Sequence, residues 1–266
     1  MTATPAAGQT GSAGEDALDR VVRTKRLNVA VVIYPPLTIK QGEELSGTFV
    51  EAARLLAKQM DVTPNFLEAE WGTFIAAIQS GRADIALAGS FATVARAMAV
   101  DFSKNVMWIG SSVLVRKADV HKWKTLEDAD RPGVRFVTGE GSALHERLKK
   151  TLKNGQIVAL PPGTNPANMA LAVLSNRADV YLQDDWLIRK LVSEHKEAVE
   201  MPAYKDKPWN LNAVSWAVAK NQSAMLNVLN VAIDRLTDNN MLQQWDEKYG
   251  AHWLYKKDAF YQPGKA

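Results

Sequence analysis

Residues 75–89 read IAAIQSGRADIALAG, and residues 170–184 read ALAVLSNRADVYLQD. Each copy runs from an apolar helical stretch through a helix-breaking residue (Gly81, Asn176) and the triplet Arg-Ala-Asp into a short β-rich run. The copies start 95 residues apart. A helix feeding a strand, repeated at the scale of a domain, predicts two similar α/β lobes. In open α/β sheets, ligands bind beyond the carboxyl ends of the strands. The first of these strands ends at Gly89-Ser90-Phe91 and the second at Asp184-Asp185. Those two ends are therefore expected to form the walls of a ligand cleft.

Working outward, RLNVAVVI (26–33) reads as a buried first strand, stopped by Tyr34-Pro35-Pro36-Leu37 because proline cannot continue a ladder. Residues 42–47 read as a turn region, and 48–60 carry Phe49, Ala52, Ala53, Leu56 and Met60 at helical spacing. A strand from Pro64, a helix over 72–80, a strand over 84–89 and a helix over 92–100 follow. This βαβαβα pattern predicts a mostly parallel sheet. A β-like run at 106–116 leads into a second set: strand 133–138, helix 142–154, strand 156–160, helix 165–177, strand 178–184 and helix 185–195. A second β-like run at 213–220 returns the chain to closing helices at 223–239 and 241–250. The simplest folding is a discontinuous first lobe (16–110 plus 212–266) with a second lobe (111–211) inserted and a two-strand hinge near 108–113 and 207–214. Residues 1–15, small and polar, read as a flexible leader without the apolar segment of a signal peptide.

The chain has 266 residues, 47% hydrophobic and 23% charged, which is enough apolar material for real cores in a soluble protein. Its formal charge of +3 is too small and dispersed to argue for nucleic acid or an anionic membrane surface. Cysteine is absent, which removes disulfides, thiol nucleophiles and thiolate metal sites. No apolar run approaches the roughly 20 residues that span a bilayer. The histidines (121, 145, 195 and 252) fall at no metal-ligand spacing, so neither metal nor cofactor is expected and cap or surface roles suit them.

The candidate chemistry lies at strand ends. GEGS (139–142) follows a strand and opens a helix. Backbone N–H groups of Gly141, Ser142 and Ala143 would then face an anion such as a carboxylate, or Ser142 simply caps the helix. Arg96, just past Gly89-Ser90-Phe91, is either a bidentate carboxylate clamp or a solvated surface residue. Of the adjacent acids, Asp185 suits a helix cap, which leaves Asp184 to meet an ammonium group. Tyr34, Trp71 and Phe91 stand at strand ends, where aromatics either stack on a ligand or pack the core. Trp245, Tyr249 and Trp253 read as structural closures of the last helices.

These marks, in order, resemble a family. YPPL (34–37), GTFVEAARLLA (47–57), EWGTFIAAIQSGRADIALAG (70–89), Thr93 and Arg96, DFS (101–103), LVRK (114–117), GEGS, RADVYLQDD (177–185), WAVAK (216–220) and MLQQWDEKYG (241–250) look like the periplasmic solute-binding proteins of polar amino-acid ABC importers, the bacterial extracellular solute-binding family 3. The resemblance implies a two-lobe periplasmic-binding-protein fold of type II, with one amino acid trapped between the lobes by hinge closure and handed to a membrane ABC permease. It implies Arg96 on the ligand α-carboxylate, with Ser142 in the Gly141-Ser142 site that also holds it, and Asp184 on the α-ammonium; Ser90 and Asp185 beside them are further candidate ligand-binding residues. Tyr34 and Trp71 would line the side-chain pocket. Phe91 and Phe49 depart from the family, which often carries Ser or Thr and Asp at those two places. The expectation is a monomeric, periplasmic binder rather than an enzyme. Its rivals are a dehydratase resembling cyclohexadienyl dehydratase, whose acidic residue would fall at Leu187, and the sensing module of a receptor.

Overall fold

The computed structural model describes residues 16–161 and 163–249; the leader assigned to residues 1–15, with His252 and Trp253, lies outside them. The chain divides into two compact units. Unit 1 takes the described residues up to Met107 and those from Ala213 onward, and unit 2 takes Trp108–Asn212.

In chain order, unit 1 begins with α1 (Ala17–Thr24), β1 (Arg26–Val32), the hairpin strands β2 (Ile39–Gln41) and β3 (Glu44–Ser46), α2 (Thr48–Gln59) and β4 (Thr63–Ala69). It continues with α3 (Phe74–Gln79), β5 (Ile85–Phe91) and α4 (Val94–Ala97), and the long β6 (Asp101–Arg116) carries the chain into unit 2. There follow α5 (Leu126–Ala129), β7 (Arg135–Gly139), α6 (Ala143–Thr151), β8 (Gln156–Leu160), α7 (Pro166–Leu174), β9 (Val180–Asp184), α8 (Asp185–Glu194) and β10 (Ala198–Glu200). Strand β11 (Leu211–Val218) returns to unit 1, which ends with α9 (Ser223–Asp238) and α10 (Met241–Tyr249).

The strand order of unit 1 is β4-β1-β5-β11, with β4 and β5 parallel to β1 and β11 antiparallel to β5. Unit 2 repeats that plan as β8-β7-β9-β6, again with two parallel pairs and one antiparallel neighbour; β10 joins β6 antiparallel. Side chains alternate across each strand. In unit 2, Val113, Val115, Phe136, Val180 and Leu182 pack on one face, and Leu114, Val137 and Tyr181 on the other. Both faces are thus buried, as parallel strands require.

The repeated triplet is a repeated joint. Gly81 and Asn176 both adopt positive φ (68° and 62°), the left-handed turn that ends a helix with backbone bonds. The bonds correspond one for one: Gly81 N–H to Ile78 O and Asn176 N–H to Val173 O, each 3.0 Å, then Ala83 N–H to Ala77 O (2.9 Å) and Ala178 N–H to Ala172 O (3.0 Å). The Arg82 and Arg177 Nε groups donate to Ser80 and Ser175 hydroxyls. The aspartates close the joint. Asp84 N–H donates to Asn28 O while Asp84 Oδ2 accepts Asn28 N–H at 2.7 Å. Asp179 does the same to Arg135, with distances of 2.8 and 3.0 Å. Each aspartate therefore grips the first turns of the neighbouring parallel strand.

Their electrostatics differ. Burial pushes the Asp84 carboxyl above its usual range, against the Asn28 N–H and the Arg20 guanidinium that pairs with it. Burial also works against Asp179, but the hydrogen bonds from Arg135 and Arg116 outweigh it and hold the carboxyl at about 2.

Four details depart from the sequence reading. The turn region 42–47 includes a strand, β3, of a short hairpin that is too exposed to show alternation. The helix expected over 92–100 is only α4, because Ala99 and Val100 N–H both close on Arg96 O and β6 starts at Asp101. Three-residue β10 pairs with Arg116, Val115 and Leu114, which no local periodicity announces. Asp185 does not cap α8: it is the first helical residue, and Asp184 takes the cap position without a side-chain cap bond.

The terminal helices fasten unit 1. Asp16 caps α1 through Leu18 N–H (2.9 Å) and also accepts Ala224 and Met225 N–H at the start of α9, which has no side-chain cap of its own. Trp245 is half-buried, and the Tyr249 hydroxyl donates to Glu51 (2.6 Å), beside Lys248 on the same carboxylate. The Thr48 hydroxyl donates to Asp246 at 2.8 Å, and the second Asp246 oxygen is buried without a partner.

Two predictions follow from these carboxylates. Asp179→Ala should cost about 3 kcal/mol, the lower end for breaking a buried pair, since Arg135 is a third exposed. Because the folded value of about 2 lies below the ordinary 3.8, the ionised Asp179 stabilises the fold above pH 4 and that contribution disappears as pH falls through 2. Urea titrations of wild type and Asp179→Asn across this window should diverge; identical acid profiles would refute an ionic clamp. For Asp246, burial pushes the carboxyl up to about 8, so the folded state keeps a proton that the unfolded chain has released. Stability should then fall as pH rises from about 4 to about 8 and level off above it. Asp246→Asn should flatten that slope and be more stable than wild type at pH 8.

Candidate functional site

In unit 1 the carboxyl ends of β1, β4 and β5 share one edge of the sheet. Tyr34 follows β1, and the Tyr34 backbone is fixed by Leu37 and Thr38 N–H groups donating to its carbonyl. Trp71 follows β4 and meets Tyr34 edge to face, with ring centroids 5.7 Å apart. Trp71 is 41% exposed, high for its size. Gly89, near the end of β5, has a φ of 64° that favours glycine. A Cβ there would stand 3.0 Å from Leu37 Cδ1, 3.4 Å from Phe49 Cε2 and 3.8 Å from Trp71 Cη2. Leu37 and Phe49, both fully buried, thus pack against Gly89, a contact that the sequence does not display.

Ser90 is buried and donates to Ser215 O at 3.4 Å across the β5–β11 pair, so its hydroxyl serves the sheet here. Phe91 is half-buried, and its carbonyl accepts from Arg96 Nη1 at 3.1 Å. Arg96 sits in α4, begun by Thr93, whose side chain accepts Arg96 N–H. Its guanidinium lies over the Phe74 ring at 5.7 Å. Burial lowers its pKa from the ordinary value, and no carboxylate pairs with it among the described residues. Arg96 is therefore neither a solvated surface group nor half of an internal ion pair.

In unit 2, GEGS does follow a strand and open a helix: Ser142 caps α6, its hydroxyl accepting His145 N–H at 3.0 Å and lying 3.3 Å from Thr138 Oγ1. The expected row of outward N–H groups needs correction. Gly141 N–H donates to His145 Nδ1 at 3.0 Å, and Ser142 N–H donates to Gly139 O at 3.2 Å. His145 is buried, a structural part of the loop rather than a surface residue. Its signal was its place on the first turn of α6, directly above the Gly141 bend.

Asp184 ends β9, opposite Ser111 of β6, and is buried. Asp185 is buried too, but its partners lie within the unit: Oδ1 accepts Trp186 N–H at 2.7 Å, and Oδ2 is 3.6 Å from Arg189 Nη2. Glu200 shares that arginine (3.7 Å) and accepts the Ser112 hydroxyl. Burial raises the pKa of both carboxyls against Arg189. Gly110 makes room for this cluster, since a Cβ there would be 3.0 Å from Asp185 Oδ2 and 2.5 Å from Pro208 Cβ. Among the described residues no three His, Asp or Glu side chains gather to hold a metal ion, and no helix is long and apolar enough to cross a membrane.

Among the described residues Arg96 is thus a guanidinium without an acidic partner beyond the end of β5, and Asp184 is a buried aspartate at the end of β9. Residues 27–252 match the family model of bacterial extracellular solute-binding proteins, family 3. The glutamine-binding protein GlnH of an ABC transporter in Bacillus subtilis is 24% identical, over 81% of this chain and 75% of its own. A cyclohexadienyl dehydratase of Pseudomonas aeruginosa is 24% identical, over 65% of this chain and 64% of its own. The crystal structure of an ancestral amino-acid-binding protein, described as a precursor of cyclohexadienyl dehydratase, superposes with a TM-score of 0.75 at 25% identity, covering 88% of this chain and 99% of that one. The chain belongs to family 3 of the bacterial extracellular solute-binding proteins and has the two-lobe type II fold of periplasmic binding proteins.

Proposed function

We propose that this chain is the ligand-capturing component of an amino-acid ABC importer, working in the periplasm and delivering its ligand to a membrane permease. The observation that carries the reading is Arg96, half-buried, tethered to Phe91 O and lacking a carboxylate partner among the described residues. A ligand α-carboxylate would complete it, and Asp184 of unit 2 would take the α-ammonium. Tyr34, Trp71 and Phe91 would flank the side chain, with Ser90 behind them. From unit 2, the Ser142 hydroxyl would join Arg96 on the carboxylate, since Gly141 N–H is already engaged by His145. Asp185, held by Arg189 and Trp186, would set the corner at which Asp184 stands. The crossing strands β6 and β11 would bend as the lobes close.

Magnitudes suffice. Charge-assisted hydrogen bonds contribute about 1.5–3 kcal/mol each, and micromolar affinity needs about 8 kcal/mol in total. Two such ends and a covered side chain reach that figure within one copy of the chain, and a monomer is the proposed working unit.

The same fold supports a dehydratase in a relative, and that activity requires a general acid. Here the position three residues after Asp184 is Leu187, which packs in an apolar core with Tyr181, Ile188 and Val173. The chain is therefore read as a binder and not as an enzyme.

Calorimetric titration with the amino acids should give saturable binding, weakened about 10- to 150-fold by Arg96→Ala and by Asp184→Ala, the range set by losing about 1.5–3 kcal/mol per charged contact. Unchanged binding in both variants would remove the proposed clamp. Incubation with prephenate or arogenate should yield no product; turnover would overturn the binder reading.

A further inference from the structure

We propose that unit 1 carries a second binding surface, a groove along the edge strand β4 that receives an extended acidic segment of a partner protein as an added strand. None of the residues assigned to the amino acid lines it, so the two surfaces stand or fall separately. Among the described residues β4 pairs with β1 alone and ends the strand order of unit 1. None of its seven residues is buried. Helix α2 packs against β4, whereas α3 packs over β1 and β5. This leaves the α3 side of β4 incompletely covered, where parallel strands are normally buried on both faces. A groove of about 1010 Å³ lies there, lined by residues 65–69 without a gap. Successive side chains of a strand point to opposite faces. A groove that touches all five therefore reaches around the free edge, where backbone N–H and C=O groups face outward. Such an edge is a template for a further strand. The proline of β4, Pro64, stands ahead of the groove and does not block it.

The charge of the groove sets the chemistry of the partner. Three guanidinium groups border it, from Arg20, Arg26 and Arg82, against two carboxylates, Asp84 and Glu68. Both carboxylates are already matched. Asp84 pairs with Arg20 and accepts Asn28 N–H, and Glu68 pairs with Lys40 at 2.6 Å. Arg82 donates to the Ser80 hydroxyl at 3.4 Å, and the Arg26 guanidinium has no partner among the described residues; both side chains are exposed. In the repeat of unit 2, the strand position of Asn28 is held by Arg135, whose guanidinium is spent on Asp179. Arg26 has no such carboxylate.

Arg26 and Asn28 lie on the face of β1 that also carries Ala30 and Val32 to α3. Asn65 reaches Asn28 Oδ1 from the same face of β4, at 2.8 Å. A strand added to β4 would present every second side chain on that face. Acids at those positions would meet Arg26 and Arg82, while the ladder hydrogen bonds accept any sequence, so charge supplies the selectivity. A second copy joined through β4 would bring arginines to arginines. Residues 1–15, with one acid and three glycines, offer neither the charge nor the strand propensity.

The test uses the full chain at pH 7 and a fluorescently labelled heptapeptide alternating glutamate and valine. Anisotropy should show saturable binding, and hydrogen exchange of the β4 amides should slow when the peptide is added. Reversing both free charges, in Arg26→Glu with Arg82→Glu, should weaken binding at least about 10-fold, since two attractions become repulsions. Arg20 is kept because it holds Asp84. A peptide alternating lysine and valine should also bind at least about 10-fold more weakly to the wild-type chain, which decides the same point if circular dichroism finds the double variant misfolded. A glutamate peptide N-methylated at two adjacent central residues keeps its charges, loses a ladder donor in either register and should not bind. Absence of binding or of β4 protection, indifference to charge reversal, or full affinity of the N-methylated peptide would each overturn the proposal, the last by reducing the groove to a site for any anion. Displacement by an unlabelled peptide of residues 1–15, or β4 protection that rises with protein concentration alone, would overturn it in favour of the chain's own leader or of a second copy.

Discussion

Each half of this protein hangs on a carboxylate that grips the beginning of a neighbouring strand. Asp84 and Asp179 stand where a helix has just ended and a strand is about to start, and each returns a hydrogen bond to the backbone of the central strand, at Asn28 and at Arg135. That grip sets the register of three parallel strands, and register decides which side chains face which layer. It also fixes where the strands stop, and the carboxyl ends of those strands carry Ser90 and Phe91 in unit 1 and Asp184 in unit 2. The same device is realised with different electrostatics. Asp179 is held by two guanidinium groups and stays ionised, whereas Asp84 pairs with Arg20 alone and bears more of its desolvation. Equal geometry does not imply equal contribution to stability.

The duplication was legible because it is made of local signals. A glycine or asparagine that can turn left-handed, a serine for the arginine and an aspartate at fixed spacing are each readable in a line of text, and all recur 95 residues apart. Helices with a clear apolar face, such as α2 and α9, were readable for the same reason. Strand β10 was not, since its three residues owe their conformation to pairing with Leu114–Arg116 in sequence-distant β6. The short hairpin β2–β3 was missed because neither strand is buried enough to alternate.

The candidate site is legible in its parts and less so in its wiring. Arg96, Trp71, Tyr34 and Ser142 stand out by their position near strand ends, and position is what topology dictates. What the line of text could not display is who occupies whom. The N–H of Gly141 belongs to His145, the hydroxyl of Ser90 to a carbonyl on β11, and the carboxylate of Asp185 to Arg189. Each pairing joins groups whose meeting depends on a folded corner. The packing of Leu37 and Phe49 against Gly89 likewise emerges only when the loop after β1 folds back on α2.

Unit 1 is assembled from the two ends of the chain, with all of unit 2 lying between them in sequence. Its fastenings are correspondingly remote: Thr48 to Asp246 spans 198 residues, and Asp16 to Met225 spans 209. A ribosome therefore releases every residue of unit 2 before the last strand and helices of unit 1 exist. Unit 2 has its whole sheet available early, whereas unit 1 must wait with β11 missing from its edge and Asp16 without its second helix. Contacts of such long sequence separation form slowly, so the half that carries the arginine is the later of the two to become native.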